Sequence, residues 1–131
     1  MVILLVAVTA GSEIVKQLVA RPRPPGYDES TVGVVYSFPS GHVLEAVTMY
    51  GIIAVLVWRS ALPTVWRILI PAVFTVIVIL VAIARVAVAA HYPSDVLASA
   101  LGGLGCVAVF ACLSAILQRG RSRRDAATTD T

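Results

Sequence analysis

Four long apolar runs alternate with short polar connections along the 131-residue chain. They cover residues 2–18, 43–58, 65–84 and 96–117, and each is long enough to cross a bilayer as a helix with some tilt or local thinning. Three prolines within four residues follow the first run and prevent the helix from continuing. The pattern therefore predicts an all-α integral membrane bundle with about four transmembrane helices.

Composition agrees with this prediction. Hydrophobic residues make up 59% of the chain and charged residues 13%, whereas soluble domains average about 45–50% apolar and about 25% charged residues. We expect a transmembrane core over residues 1–118 and a basic, disordered cytoplasmic tail over residues 119–131. The first run lacks a basic leader and a small-residue cleavage site, which favours a retained helix over a signal peptide.

The basic residues divide between the two faces of such a bundle. With alternating spans, the tail arginines share one face with Arg59 and Arg67, and the positive-inside tendency assigns that face to the cytoplasm. Trp58 and Trp66 on this face are typical of the interfacial aromatic belt. Four cations and both histidines fall on the outer face: Lys16, Arg21, Arg23, Arg85, His42 and His91. Cations placed against the tendency indicate a functional role.

Three short motifs on the outer face occur at boundaries of the apolar runs. They read KQLVARPRP at residues 16–24, PSGH at residues 39–42 and ARVAVAAHYPSD at residues 84–95. In this order and spacing they resemble the type 2 phosphatidic acid phosphatase (PAP2) superfamily, whose signature is KxxxxxxRP, PSGH and SRxxxxxHxxxD. Ala84 stands where the family usually has Ser, which removes one hydrogen-bond donor and none of the charged members.

The residue types in these motifs also suit phosphate chemistry by themselves. Catalysis of phosphoryl transfer depends mainly on positioning and on charge stabilisation, which Lys16, Arg23 and Arg85 can supply. Ser40 can donate its hydroxyl, and Gly41 allows backbone N–H groups at the start of the second helix to approach phosphate oxygens. We therefore predict a phosphate-binding site formed by these five residues.

The two histidines are predicted to divide the chemical work. A carboxylate fixes the tautomer of an imidazole and stabilises its cation, so we predict that His91, oriented by Asp95, is the nucleophile that forms a phosphohistidine. His42 has no acid at that spacing and is predicted to protonate the leaving oxygen and later to activate water. The resemblance implies the same roles, and it implies that no metal is needed; we expect no cofactor. Neither histidine lies in a pattern that gathers three metal ligands, so we expect no metal site.

Structural alternatives exist for several of these residues. Lys16 and Arg23 can act as snorkelling anchors, and Asp95 can cap the fourth helix. The shared spacing favours the catalytic interpretation. Four further polar residues receive no assigned role: Glu13, Arg21, Tyr36 and Glu45. For Glu45 two alternatives stay open, since it either faces the site and adjusts the properties of His42 or pairs with Arg21.

The sequence thus predicts a metal-independent phosphatase of the bacterial cell membrane, with its site on the outer face. Candidate substrates are isoprenoid diphosphates, phosphatidic acid and phosphatidylglycerol phosphate. The alternatives are a lipid phosphotransferase with the same phosphoenzyme and a non-catalytic membrane subunit. Vanadate haloperoxidases have a similar constellation but are soluble, so the four spans argue against them. Expected partners are the lipid phosphate and the bilayer, with no nucleic acid, and homo-oligomerisation is left open.

Overall fold

A computed structural model describes residues 2–27 and 36–129, with side chains over residues 4–27 and 36–120. Four helices make up the described chain: α1 (Val2–Val19), α2 (Gly41–Trp58), α3 (Thr64–Ala87) and α4 (Pro93–Thr129). Each predicted apolar run lies inside one of them, and no strand occurs within the described ranges. The predicted all-helical bundle is confirmed.

Three segments of the described chain are long and apolar enough to cross a membrane: Gly41–Trp58, Thr64–Ala87 and Pro93–Gly120. None of the residues of α3 is buried inside the protein. Large side chains such as Leu80 and Leu101 are more than half exposed. This surface suits the hydrocarbon of a bilayer, where helices satisfy their own backbone hydrogen bonds.

Helix α2 is the central element, because α1, α3 and α4 all pack against it. Glycines allow α4 to approach it closely. A Cβ atom on Gly103 would lie 2.7 Å from Cβ of Val47, and one on Gly51 would lie 2.5 Å from Cγ2 of Val107. This close contact fixes the start of α2 beside the start of α4, where the predicted site residues lie.

Helix α4 extends to Thr129 and therefore passes the predicted end of the core at residue 118. The predicted disorder of the tail and its cytoplasmic position stay predictions. At its other end α4 begins with Pro93, at the first helical position, where the missing proline N–H leaves no hydrogen bond unmade.

Candidate active site

The two described ends of the loop between α1 and α2 are hydrogen-bonded to each other. The backbone N–H of Ser37 donates to the carbonyl oxygen of Arg21 at 2.9 Å. The hydroxyl of Ser37 donates to the carbonyl oxygen of Pro22 at 3.0 Å. These bonds bring the segment that carries Arg23 next to the segment that leads into α2.

The start of α2 is bonded to the first turns of α4. The N–H of Ser40 donates to Oγ of Ser99 at 2.8 Å, and the Ser99 hydroxyl donates to the carbonyl oxygen of Asp95 at 2.7 Å. All three side chains are buried. This chain of bonds joins the second motif to the third.

A tight turn joins α3 to α4 and positions the residues of the third motif. The N–H groups of Ala90 and His91 both donate to the carbonyl oxygen of Arg85, each at 3.2 Å. The Nε atom of Arg85 is buried and has no hydrogen-bond partner among the described residues. The main chain of Arg85 is therefore hydrogen-bonded directly to that of His91, and the side chain of Arg85 retains one donor, Nε, without a partner in this part of the chain.

His91 is buried, with 5% of its surface exposed. Its Nδ1 lies 2.5 Å from the carbonyl oxygen of Ser37. Because a carbonyl oxygen can only accept, Nδ1 must carry the hydrogen, which leaves the lone pair of a neutral ring on Nε2. The sequence motif therefore places an imidazole in one defined tautomer.

The surroundings of His91 favour its neutral form. Burial is the main cause that lowers its pKa below the usual 6.5, and the positive charges of Arg23 and Lys16 lower it further. The hydrogen bond to Ser37 and the negative charge of Asp95 raise the pKa but do not outweigh these effects. A neutral imidazole with a free lone pair can act as a nucleophile.

Asp95 makes its hydrogen bonds away from His91. Its Oδ2 accepts the N–H of Tyr92 at 3.0 Å, and its Oδ1 accepts Nη1 of Arg21 at 2.6 Å in an ion pair. A carboxylate at the third position of a helix readily accepts the N–H of the N-cap residue, here Tyr92. Asp95 therefore caps α4, which is the structural alternative to a catalytic role. The expected bond to His91 is not formed among the described residues, and the orienting role of Asp95 stays a prediction.

Arg21 links this carboxylate to the loop. Its Nη1 also donates to Oγ of Ser94 at 2.9 Å, and its guanidinium lies over the ring of Tyr92, 4.2 Å from the centroid. These contacts tie the loop after α1 to the start of α4. Arg21 thus has a structural position that its place in the sequence alone did not assign.

We expect Arg21→Gln and Asp95→Asn to lower kcat/KM by similar factors, because each removes the same ion pair beside the His91 turn. The double variant should be little worse than either single one, with a coupling energy of about 0.5–3 kcal/mol. Ser94→Ala, which removes the hydroxyl that also accepts from Arg21 but keeps the ion pair, is the control for loss of a contact of Arg21 alone. If Asp95→Asn is far more damaging and the two losses multiply, Asp95 acts on His91 without Arg21.

Of the three cations of the first motif, Lys16 lies beside the start of α2, and Arg23 lies beside the turn that precedes α4. A Cβ atom on Gly41 would lie 3.7 Å from Nζ of Lys16, which places this ammonium beside the first residue of α2. Lys16 also pairs with Glu13 at 2.6 Å. Arg23 donates from Nη1 to the carbonyl oxygen of Ala90 at 2.9 Å, next to His91.

Donors at the start of α2 remain available for an anion. The first intrahelical bond runs from the N–H of Leu44 to the carbonyl of Ser40, so the N–H groups of residues 41–43 precede the helical ladder. The hydroxyl of Ser40 makes no capping bond, and its buried oxygen has no partner among the described residues. Such a helix start is a general anion-binding arrangement.

His42 differs from the residues around His91. Its side chain is exposed and lines a cavity of about 290 Å³ between α1, α2 and α3, where most other lining side chains are apolar. Glu45 lines the same cavity and accepts the hydroxyl of Thr9 at 2.8 Å. Of the two alternatives for Glu45, pairing with Arg21 is wrong, because Arg21 pairs with Asp95.

The family model of the PAP2 superfamily matches residues 1–119. The chain belongs to the PAP2 superfamily. Its fold also matches the crystal structure of a transmembrane PAP2-type phosphatidylglycerolphosphate phosphatase from Bacillus subtilis, with a TM-score of 0.68 and 26% sequence identity. The alignment covers 94% of this chain and 57% of that one, so the chain spans little more than half the length of its structural neighbour. No curated protein matches significantly.

All the motif residues of this PAP2 chain belong to its described part. The structure gathers most of them around the starts of α2 and α4: Lys16, Arg23, Ser40, Gly41, His91 and Asp95. Arg85 joins them through its backbone, and His42 faces the neighbouring cavity. Among the described side chains, no group of three His, Cys, Asp or Glu residues is arranged to hold a metal ion.

Sequence reasoning about this PAP2 site missed two serines. Ser99 follows Asp95 by one helical turn, so the two residues lie on the same face of α4, and this spacing could have identified Ser99 from the sequence. Ser37 contributes its carbonyl oxygen to His91, a group that every residue carries. No sequence pattern identifies such a contact.

Proposed function

We propose that the protein hydrolyses a lipid phosphate monoester or diphosphate through a phosphohistidine on His91. The observation that carries this proposal is the hydrogen bond from Nδ1 of His91 to the carbonyl of Ser37, which leaves the lone pair on Nε2. In the proposed first step this lone pair forms a bond to phosphorus while the bond from phosphorus to the leaving oxygen breaks. Attack by water then releases phosphate and restores His91.

The proposed phosphate site consists of Lys16, Arg23, Ser40, Gly41 and Arg85. Two of these residues have buried donors without partners in the described chain, the Ser40 hydroxyl and Nε of Arg85. A buried polar atom left unpaired costs about 1–3 kcal/mol, so phosphate oxygens that accept from both would stabilise the bound state. The three positive charges would balance the charge that develops on the transferring phosphoryl group.

His42 is proposed as the general acid for the leaving oxygen and as the base for the attacking water. Its exposed ring, which lines a largely apolar cavity, supports this role, because the leaving oxygen of a lipid phosphate carries an apolar tail. Positioned acid or base catalysis is worth about 10²–10⁴ in rate. The cavity also favours lipid over water-soluble phosphates.

The substrate class is a lipid phosphate, with phosphatidylglycerol phosphate, phosphatidic acid and isoprenoid diphosphates as candidates. The structural neighbour supports the first, since it is a phosphatidylglycerolphosphate phosphatase. The test is phosphate release from this panel by purified protein, with and without EDTA. We expect activity on at least one lipid in EDTA. Strict dependence on added Mg²⁺ would refute a phosphate site built from protein cations alone.

We further propose that the site lies on the outer face of a bacterial cell membrane, as the distribution of basic residues favours. Single cysteines at Ser30 and Ser122, in a background with Cys106 and Cys112 replaced by Ala, can be labelled with an impermeant reagent in intact cells. Only the first should react. Labelling at Ser122 alone would reverse the orientation.

The pKa of His91 gives a second expected result. In a His42→Gln background His91 is the sole histidine, so the pH dependence of its modification by diethyl pyrocarbonate reports its protonation. Burial penalises the imidazolium, so protonation needs more acid and the midpoint should lie below pH 6.5. Lys16→Met removes a charge that lowers this pKa and should move the midpoint upward, whereas Arg119→Gln, at the other end of the bundle, should not. A midpoint at or above 6.5 would contradict this account.

A further inference from the structure

A polar cavity lies at the end of the bundle opposite His91. Its volume is about 860 Å³, and it is lined by the last residue of α2 and the turn after it, the first turn of α3 and the second half of α4. Three of the lining residues are arginines, Arg59, Arg67 and Arg119, and none of the lining residues in the described chain is acidic. The cavity is therefore strongly positive, although the proposed phosphatase chemistry does not use it.

The arginines differ in how their donors are satisfied. Arg59 donates to Oγ of Ser114 at 2.6 Å and to the carbonyl oxygen of Ala111 at 3.0 Å, which fixes it on α4. The guanidinium of Arg67 lies over the ring of Trp58, 5.1 Å from the centroid. Its Nε is buried without a hydrogen-bond partner among the described residues. An anion in the cavity would supply the acceptor that this atom lacks.

The basic cavity continues into an apolar groove. A neighbouring cavity of about 390 Å³ shares Trp58 and Arg59 with it. That cavity shares Ala54 and Pro71 with a third one of about 260 Å³, which lies between α2, α3 and α4 and has a mainly apolar lining. A free phosphate ion has no apolar part that could occupy such a groove, whereas a phospholipid has both an anionic headgroup and an acyl chain.

We propose that these cavities form one binding site for an anionic phospholipid, distinct from the catalytic site. The headgroup phosphate lies among Arg59, Arg67 and Arg119, and an acyl chain lies in the groove past Ala54 and Pro71. With the proposed orientation this lipid belongs to the cytoplasmic leaflet, where anionic lipids attract clustered basic residues. The proposal does not depend on the reaction assigned to His91.

Trp58 provides a local probe of this site. In a Trp66→Phe background it is the sole tryptophan, and its fluorescence can be quenched by phospholipids brominated near the headgroup end of the acyl chain. In nanodiscs of phosphatidylcholine, brominated phosphatidylglycerol should quench Trp58 more strongly than brominated phosphatidylcholine at the same mole fraction. Arg67→Gln should weaken the preference for phosphatidylglycerol about fivefold. Arg121→Gln, which removes an equal charge from the tail, is the matched control and should largely keep it.

The groove and the headgroup source are tested separately. Ala54→Phe should reduce the preference by filling the groove, and the smaller Ala54→Val covers the case in which the larger side chain disturbs folding, as judged by circular dichroism and gel filtration. Equal quenching by the two lipids, or a preference that Arg67→Gln leaves unchanged, would overturn the proposal. Full displacement of phosphatidylglycerol by inorganic phosphate, with both Ala54 variants behaving as wild type, would instead assign the cavity to free phosphate and refute the lipid site.

Discussion

His91→Ala should lower turnover of a lipid phosphate by at least about 10³-fold, because it removes the proposed nucleophile. It should show no burst of leaving group with an activated aryl phosphate either. His42→Ala should be nearly inactive on the lipid, whose alkoxide needs a proton in order to leave. With the aryl phosphate, however, His42→Ala should recover a burst of about one equivalent per site, because that leaving group departs without a proton. Rapid-quench measurements with both substrates separate the two roles.

The matched control is His42→Gln, which keeps a polar side chain without the ability to transfer a proton and should behave like His42→Ala. A burst that survives loss of His91 and disappears with loss of His42 would exchange the roles of the two histidines. The lipid phosphatase proposal would remain in place after such an exchange, since it depends on the shared site.

Arg85→Gln should lower kcat/KM by about 10²–10³-fold, the usual loss on removing one group that stabilises transition-state charge. The reason is the buried Nε of Arg85, which has no partner in the described protein and is proposed to donate to phosphate. Arg85→Lys keeps the charge but loses the planar fork, so it should recover only part of the activity. Steady-state kinetics on the best lipid substrate measure both variants.

Arg121→Gln, outside the proposed site, is the control for the loss of one positive charge. Full activity of Arg85→Gln in a folded protein would remove Arg85 from the phosphate site. If Arg85→Lys is as active as wild type, the positive charge at this position is needed but the proposed hydrogen bond from Nε is not.

The helices were predictable from the sequence because a bilayer imposes simple requirements on length and polarity. All four predicted runs fall inside helices, and the helix ends differ from the run ends mainly where small or polar residues continue the backbone. Gly41 and Pro93 begin α2 and α4 outside the apolar runs. Hydropathy cannot locate such ends, since capping and turn geometry decide them.

The gathering of the site residues was predictable in part. The three motifs identified the chemical groups, and their positions at span boundaries on one face predicted that they meet. The partner of Asp95 was not predictable, because a carboxylate at the third position of a helix can cap the helix, pair with Arg21 or bond to His91. In the folded protein Asp95 makes the first two of these contacts, and the loop brings the carbonyl of Ser37 to Nδ1 of His91.

Both ends of the described bundle contain buried hydrogen-bond donors without a partner. In the described chain they are the hydroxyl of Ser40, Nε of Arg85 and Nε of Arg67. Two belong to the proposed phosphate site and the third to the basic cavity beyond Trp58. Intramembrane polar groups are costly unless they are paired, so both ends are proposed to receive phosphate groups as partners.

Trapping of the covalent intermediate tests the central claim most directly. His42→Ala should accumulate the phosphoenzyme when it is mixed with an activated aryl phosphate, because release by water is slow without the base. After quenching in alkali, where a phosphohistidine is stable, mass spectrometry of peptides should locate one phosphoryl group on His91, and it should be lost on acidification. A phosphoryl group on another residue, or none despite a measured burst, would contradict the account.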